Sequence, residues 1–132
     1  MMNMMIDAFL WQQYSNPYFK LVHQPDFEEF AIITAWNPKS HRRGKLENDR
    51  SNHSLVKEFG HTCYTEVLVG DRDFSWVEIS FAVALSEQQA LYLGRKYQQN
   101  AIYYVVRDEL FLLSCCADNT KVSLGGWRQR CG

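Results

Sequence analysis

Apolar and polar positions alternate in blocks along this chain, and the alternation predicts most of its elements. The cleanest period-2 segment is residues 76–85. Val77, Ile79, Phe81, Val83 and Leu85 fall on one face; Trp76, Glu78, Ser80, Ala82 and Ala84 fall on the other. Residues 29–36 read as a second strand, with Phe30 and Ile32 opposite Ala31, Ile33 and Ala35. A strand apolar on both faces belongs in the interior of a sheet. Residues 18–23 and 62–69 read as further strands, the latter joined to 76–85 by the turn Gly70-Asp71-Arg72-Asp73. Residues 100–106 and 109–115 form a hairpin around Arg107-Asp108.

Three segments carry helical spacing instead. Residues 6–14 place Ile6, Phe9, Leu10 and Gln13 together before Asn16-Pro17 breaks the pattern. Residues 46–59 form a helix on the stripe Leu55, Val56 and Phe59, closed by Gly60. Projected back, that stripe reaches Asn52 and Asn48, so Asn48 is expected to face inward. Ser86 and Gln89 form a capping box for a third helix, whose inner stripe is Ala90, Leu93, Gly94 and Tyr97. Residues 38–45 read as a loop, and 117–132 as a tail without periodicity. The expected fold is a single α+β domain over 1–132, a mostly antiparallel sheet with two or three helices packed on it.

Composition supports one packed core: 46% of 132 residues are hydrophobic and 14% aromatic, which excludes wholesale disorder. A net charge of −1 excludes a generally basic nucleic-acid binder, but the balance is uneven along the chain. Residues 1–38 carry −3, 39–61 carry +3, 62–94 carry −4 and 95–132 carry +3. The first basic block leads into a predicted helix N-terminus, where anions are favoured. No run approaches the roughly 20 apolar residues of a membrane span. Asp7 and the glutamines that follow do not suit a leader peptide, so a cytoplasmic protein without a membrane partner is expected. Cys63, Cys115, Cys116 and Cys131 lack CxxC spacing and read as buried free thiols on strands in preference to a zinc site with His61. Phosphate-loop, dinucleotide, metalloprotease and hydrolase signatures are absent, so no metal and no cofactor is expected.

The candidate chemistry lies at strand ends and on the inner face of the middle helix. Trp36 and Asn37 end the second strand, Asn48 looks inward, and Trp76, Glu78 and Ser80 share a strand face. A carboxyl beside an indole has its pKa raised by desolvation, and an asparagine offers both donor and acceptor to a nucleobase edge. In the plainer reading, Asn37 and Asn48 fasten the intervening loop and Glu78 pairs with an arginine. The leading expectation is a binding module for a small polar or phosphate-bearing ligand such as a nucleotide. Trp36 and Trp76 would stack on it, Asn37 and Asn48 would read its edges, Glu78 would anchor it, and Arg42 and Arg43 would reach a phosphate. One alternative is a hydrolase or transferase with Glu78 as catalytic acid or base. Another is an interaction protein that modulates a nucleic-acid or protein complex through its basic segments.

The segments FAIITAWNP at 30–38, Asn48, WVEIS at 76–80 and LGRKYQQNAIYYV at 93–105 resemble the bacterial family designated domain of unknown function 3293. The likeness spans about 18–115, with the first helix and the tail as extensions. It singles out Thr34, Trp36, Asn37, Pro38, Asn48, Trp76, Glu78, Ser80 and Gln99, and it implies no enzyme class. The family's Phe-Gly-Gln-Asn-Ala element stands here as Tyr97-Gln98-Gln99-Asn100-Ala101, with Gln98 in place of the glycine.

Overall fold

A computed structural model describes residues 11–12, 14–37 and 42–132. Most of the helix expected over 6–14 lies outside the described residues, though Trp11, Gln12 and Tyr14 are helical. Residues 38–41 of the expected basic loop also lie outside them. Seven strands follow one another as β1 (Tyr18–Leu21), β2 (Glu29–Ile33), β3 (Tyr64–Gly70), β4 (Val77–Val83), β5 (Ala101–Val106), β6 (Glu109–Ser114) and β7 (Lys121–Gly126). Two helices interrupt them, α1 (Lys45–Phe59) between β2 and β3 and α2 (Glu87–Lys96) between β4 and β5. The architecture is a sheet-dominated α+β fold. No helix among the described residues is long and apolar enough to cross a membrane.

The strands form one sheet in the order β1-β3-β4-β2-β5-β6-β7, with every neighbouring pair antiparallel. β2 occupies the centre, which is why its residues are apolar on both sides. Ala31 and Ile33 face the helices, in a core with Leu55, Phe59, Phe81, Val83, Ala90 and Leu93. Phe30 and Ile32 face the opposite side, where Phe19, Val67, Val69, Ala82, Val105, Leu110 and Trp127 form a second core. The sheet buries this second face by curling on itself. A parallel bridge joins Phe19 of β1 to Cys131 beyond β7, and the Gly132 N–H donates to the Phe19 carbonyl at 2.7 Å. The two edges of the sheet therefore meet across the C-terminal tail.

Local chemistry explains where these elements stop. Both capping-box hydrogen bonds form at α2: the Gln89 N–H donates to Ser86 Oγ at 3.1 Å and the Ser86 N–H to Gln89 Oε1 at 3.0 Å. Gly60 ends α1 in a right-handed conformation, φ −61°, without the left-handed cap that glycine permits. Arg107 and Asp108 take φ of 48° and 74°, the left-handed pair that a two-residue hairpin turn requires. Asp108 then holds the tail: its carbonyl accepts from the Trp127 N–H at 2.6 Å and its carboxylate from the Arg128 N–H at 3.0 Å.

The tail departs from the sequence reading. Its residues 121–126 pair with β6 as an edge strand, the register slipping at Leu110/Phe111. Trp127 follows, 3% exposed, with ring centroids 4.6 Å from Phe19 and 5.5 Å from Phe30. Cys115 and Cys116 lie past the end of β6, so the strand placement expected of them does not hold. All four cysteines are free thiols, but only Cys115 is buried as expected, and Cys63 is exposed.

Candidate functional site

The residues singled out in the sequence meet where β2 gives way to the chain leading to α1. Beyond Ile33 the strand hydrogen bonding is taken over by side chains. Thr34 Oγ1 donates to the Ile79 carbonyl at 2.7 Å and accepts from the Trp36 N–H at 3.1 Å. Asn52, on the inner face of α1, accepts from the Ala35 N–H at 2.8 Å and donates to the Ile79 carbonyl at 2.9 Å. Helix and sheet are thus fastened through a buried amide. Leaving Ala35 unpaired would cost the full desolvation of its N–H.

Asn37 is the hinge of the arrangement. It sits at φ 47°, a left-handed conformation that asparagine tolerates better than most residues. Its N–H donates to Asn48 Oδ1 at 2.9 Å, while its own Oδ1 accepts from Asn48 Nδ2 at 3.0 Å and from the Arg43 N–H at 2.9 Å. Its Nδ2 donates to Glu78 Oε2 at 3.0 Å. Asn48 is 2% exposed, and both its side-chain polar atoms are engaged by this clasp. The fastening role of the asparagines is therefore present in the geometry, whereas the arginine partner for Glu78 is not. Asn37 holds that carboxyl instead.

Glu78 reaches this position because β4 alternates. Val69 and Val67 of β3 pair with Glu78 and Ser80, placing all four on the curled face of the sheet. Around them lies a cavity of about 60 Å³ walled by Thr34, Trp76, Glu78, Ser80, Gln99 and Tyr103, with Tyr14 also against it. Burial pushes the Glu78 carboxyl up to about 7, opposed only by the Asn37 hydrogen bond. Burial likewise pushes the Tyr103 phenol far up; its hydroxyl donates to the Tyr14 carbonyl at 2.7 Å. Trp76 stands half-exposed at the mouth. Gly70 allows it there, since a Cβ on Gly70 would collide with the Trp76 carbonyl oxygen.

Of the nine residues that the family resemblance singled out, five line this cavity: Thr34, Trp76, Glu78, Ser80 and Gln99. Gln99 Nε2 donates to the Trp36 carbonyl at 3.0 Å and to the Tyr97 carbonyl at 3.3 Å. Trp36, Asn37 and Asn48 stand behind the wall and hold it. Trp36 does not form a stacking pair with Trp76 across the cavity. Arg42 is exposed and Arg43 turns away, its Nη2 donating to Ser51 Oγ at 2.6 Å, so neither reaches the cavity. The Trp36 indole N–H and the Arg43 Nε–H are buried without partners among the described residues.

Three contributors were not legible as site residues. Tyr14 and Tyr103 arrive from distant parts of the chain, and Asn52 was reached only as an inward position on the helical stripe. A second, wider hollow of about 350 Å³ opens at the other end of the curled face, between Phe27, Arg107, Asp108 and Arg128. No sequence pattern indicated it.

Gln98 adopts φ 59° immediately after α2. Glycine adopts this left-handed conformation more readily than glutamine does, and the neighbouring Gln99 turns back onto Trp36. Among the described residues no cluster of three or more His, Cys, Asp or Glu could hold a metal ion. No curated protein and no solved structure matches the chain. A family model for proteins of unknown function, DUF3293, matches residues 33–102, a stretch that begins in β2, ends in β5 and contains Asn37, Asn48, Glu78, Ser80 and Gln99. That match covers more than half of the 132 residues, and the chain belongs to this family.

Proposed function

We propose that the protein is a cytoplasmic binding module that takes a small polar molecule, or the polar head of a larger one, at the Glu78 cleft. One observation carries this reading. A partly buried carboxyl stands on the wall of a cavity with Oε2 held by Asn37 and Oε1 without a hydrogen bond among the described residues. Burying such a group costs stability, and no ion pair among the described residues offsets it. The asparagine clasp behind it keeps the carboxyl in place before any ligand arrives, which is the preorganisation that binding sites need.

Size narrows the ligand. An engineered cavity of about 150 Å³ takes a benzene ring. A cavity of about 60 Å³ suits a head group of a few heavy atoms, with the remainder lying against Trp76 at the mouth. The four free thiols suit a reducing compartment.

A screen of amino acids, amines, nucleosides and sugar phosphates by thermal shift tests the reading. A ligand of the cleft raises the melting temperature of the parent and raises that of Glu78→Gln much less. Equal shifts in the two proteins, or none in the parent across the screen, would overturn it.

A second reading rests on the same carboxyl. A group that titrates near 7 is suited to proton transfer at neutral pH, which favours an enzyme with Glu78 as acid or base. Turnover lost in Glu78→Gln while ligand binding persists would support that role.

A further inference from the structure

The hydroxyl and amide donors of Thr34, Ser80, Tyr103, Gln99 and Asn37 around the cleft are already committed. Thr34 Oγ1 donates to the Ile79 carbonyl, Ser80 Oγ to the Glu78 carbonyl at 3.3 Å, and the Tyr103 hydroxyl to the Tyr14 carbonyl. The Gln99 amide nitrogen donates to two backbone carbonyls, and Asn37 Nδ2 donates to Glu78. Apart from the Trp76 indole N–H, what is left over is accepting capacity: Glu78 Oε1 and Gln99 Oε1 make no hydrogen bond among the described residues. No Lys, Arg or His among the described residues lines the wall. An indole stands at the mouth, where its face can meet a cation or an alkyl chain.

Resting on the reading of the cleft as a small-ligand site, we propose that its ligand is a primary alkylammonium, the ammonium group seated between Glu78 Oε1 and Gln99 Oε1 and the alkyl chain leaving along Trp76. Two of its three N–H donors meet acceptors that the described residues leave unsatisfied. A positive charge beside Glu78 stabilises the carboxylate against the burial that otherwise favours its protonated form. A phosphate would meet the reverse, a buried carboxyl and no cation among the described lining residues. The same head group is carried by free amines and by lysine side chains, and the cleft recognises what they share.

Binding then displaces a proton wherever Glu78 is protonated. Among the described residues the other titratable groups facing it are the phenols of Tyr103 on β5 and of Tyr14 before β1. Asp71, next to the mouth, accepts from the Trp76 N–H and from Ser75, which hold its carboxyl below the usual range, so it stays charged near neutral pH. The pH dependence of binding near neutrality therefore reports Glu78. About one-tenth of that carboxyl is ionised at pH 6 and about nine-tenths at pH 8.

The experiment is a calorimetric and NMR titration of the full chain with n-butylammonium, with butyramide as the uncharged counterpart, at pH 6 and pH 8. Expected is binding of n-butylammonium that weakens about tenfold from pH 8 to pH 6, with proton release at pH 6. Glu78→Gln should lose at least tenfold at pH 8. The pH pair measured on the parent stands even where the variant folds poorly. A lysine tripeptide in a third arm distinguishes the sources: tighter binding than n-butylammonium assigns a protein lysine, weaker binding a free amine. Butyramide binding as tightly as the amine, or amine affinity unchanged by pH, overturns the proposal. If uncharged polar ligands shift the parent but not Glu78→Gln and the amines do not bind, the small-ligand reading stands and the ammonium falls. If nothing binds, both fall.

Discussion

Protonation of Glu78 makes the stability of this protein fall as pH rises from 4.5 towards neutrality, the reverse of what most paired carboxylates do. The carboxyl titrates at about 7 when folded against an ordinary 4.5. Between those two values the folded state holds a proton that the unfolded state has released. Stability therefore declines with pH by about 1.4 kcal/mol per pH unit, in full supply below 4.5 and lost above 7. Across that window the loss is about 3 kcal/mol. In a chain this long that corresponds to roughly 10 °C in melting temperature. Glu78→Gln removes the ionisation and keeps an oxygen for Asn37 Nδ2 to donate to. Urea unfolding of parent and variant at half-unit steps from pH 4.5 to 8.5 isolates the effect, because every other titrating group is common to both. The variant should gain on the parent by about 3 kcal/mol from the acid end of that series to the alkaline end. A difference that stays flat across the series would refute the burial argument outright.

The remaining expectations concern the frame that holds the cleft. Asn52→Ala leaves the buried Ala35 N–H unpaired while the Ile79 carbonyl keeps Thr34, a loss of about 2 kcal/mol measurable by urea unfolding; a loss under about 0.5 kcal/mol would contradict the fastening role. Trp127→Ala opens the second core against Phe19 and Phe30 and should cost about 3–5 kcal/mol, whereas a near-neutral result would show that the tail does not close the curled sheet. Gln98→Gly relieves a left-handed conformation at φ 59°, offset by glycine's greater chain entropy, so calorimetry should find the variant unchanged or up to about 1 kcal/mol more stable. A clear destabilisation would mean that the Gln98 side chain contributes more than its backbone conformation costs.

Much of this fold was legible because its signals are local. The alternation over 76–85 placed Glu78 and Ser80 on one face, and in the structure that face is the curled side of β4. Arg107-Asp108 marked a hairpin and Ser86 with Gln89 marked a helix start, each through hydrogen bonds made within a few residues. The helical stripe likewise turned Asn48 and Asn52 inward, and both are buried. β7 escaped because an edge strand that is half solvated carries little apolar pattern, and Gly125 at φ 86° interrupts what there is. Asn48 was expected to meet a ligand, yet inwardness does not say what lies on the inside. The answer is Asn37, eleven residues earlier in the chain and joined to it by two hydrogen bonds. The same limit applies to Arg43, whose charge suggested an anion but whose guanidinium donates to Ser51. Tyr14 and Tyr103 reach the cavity through long-range topology that no spacing encodes.

The central claim is that Glu78 is a partly buried carboxyl facing a cleft that a ligand can enter. The most direct test is the 13C NMR titration of the Glu78 side-chain carboxyl in the full chain, assigned by comparison with Glu78→Gln. A midpoint near 7 that falls when n-butylammonium is added is the expected result. A midpoint at the ordinary 4.5, unmoved by any ligand, would contradict it.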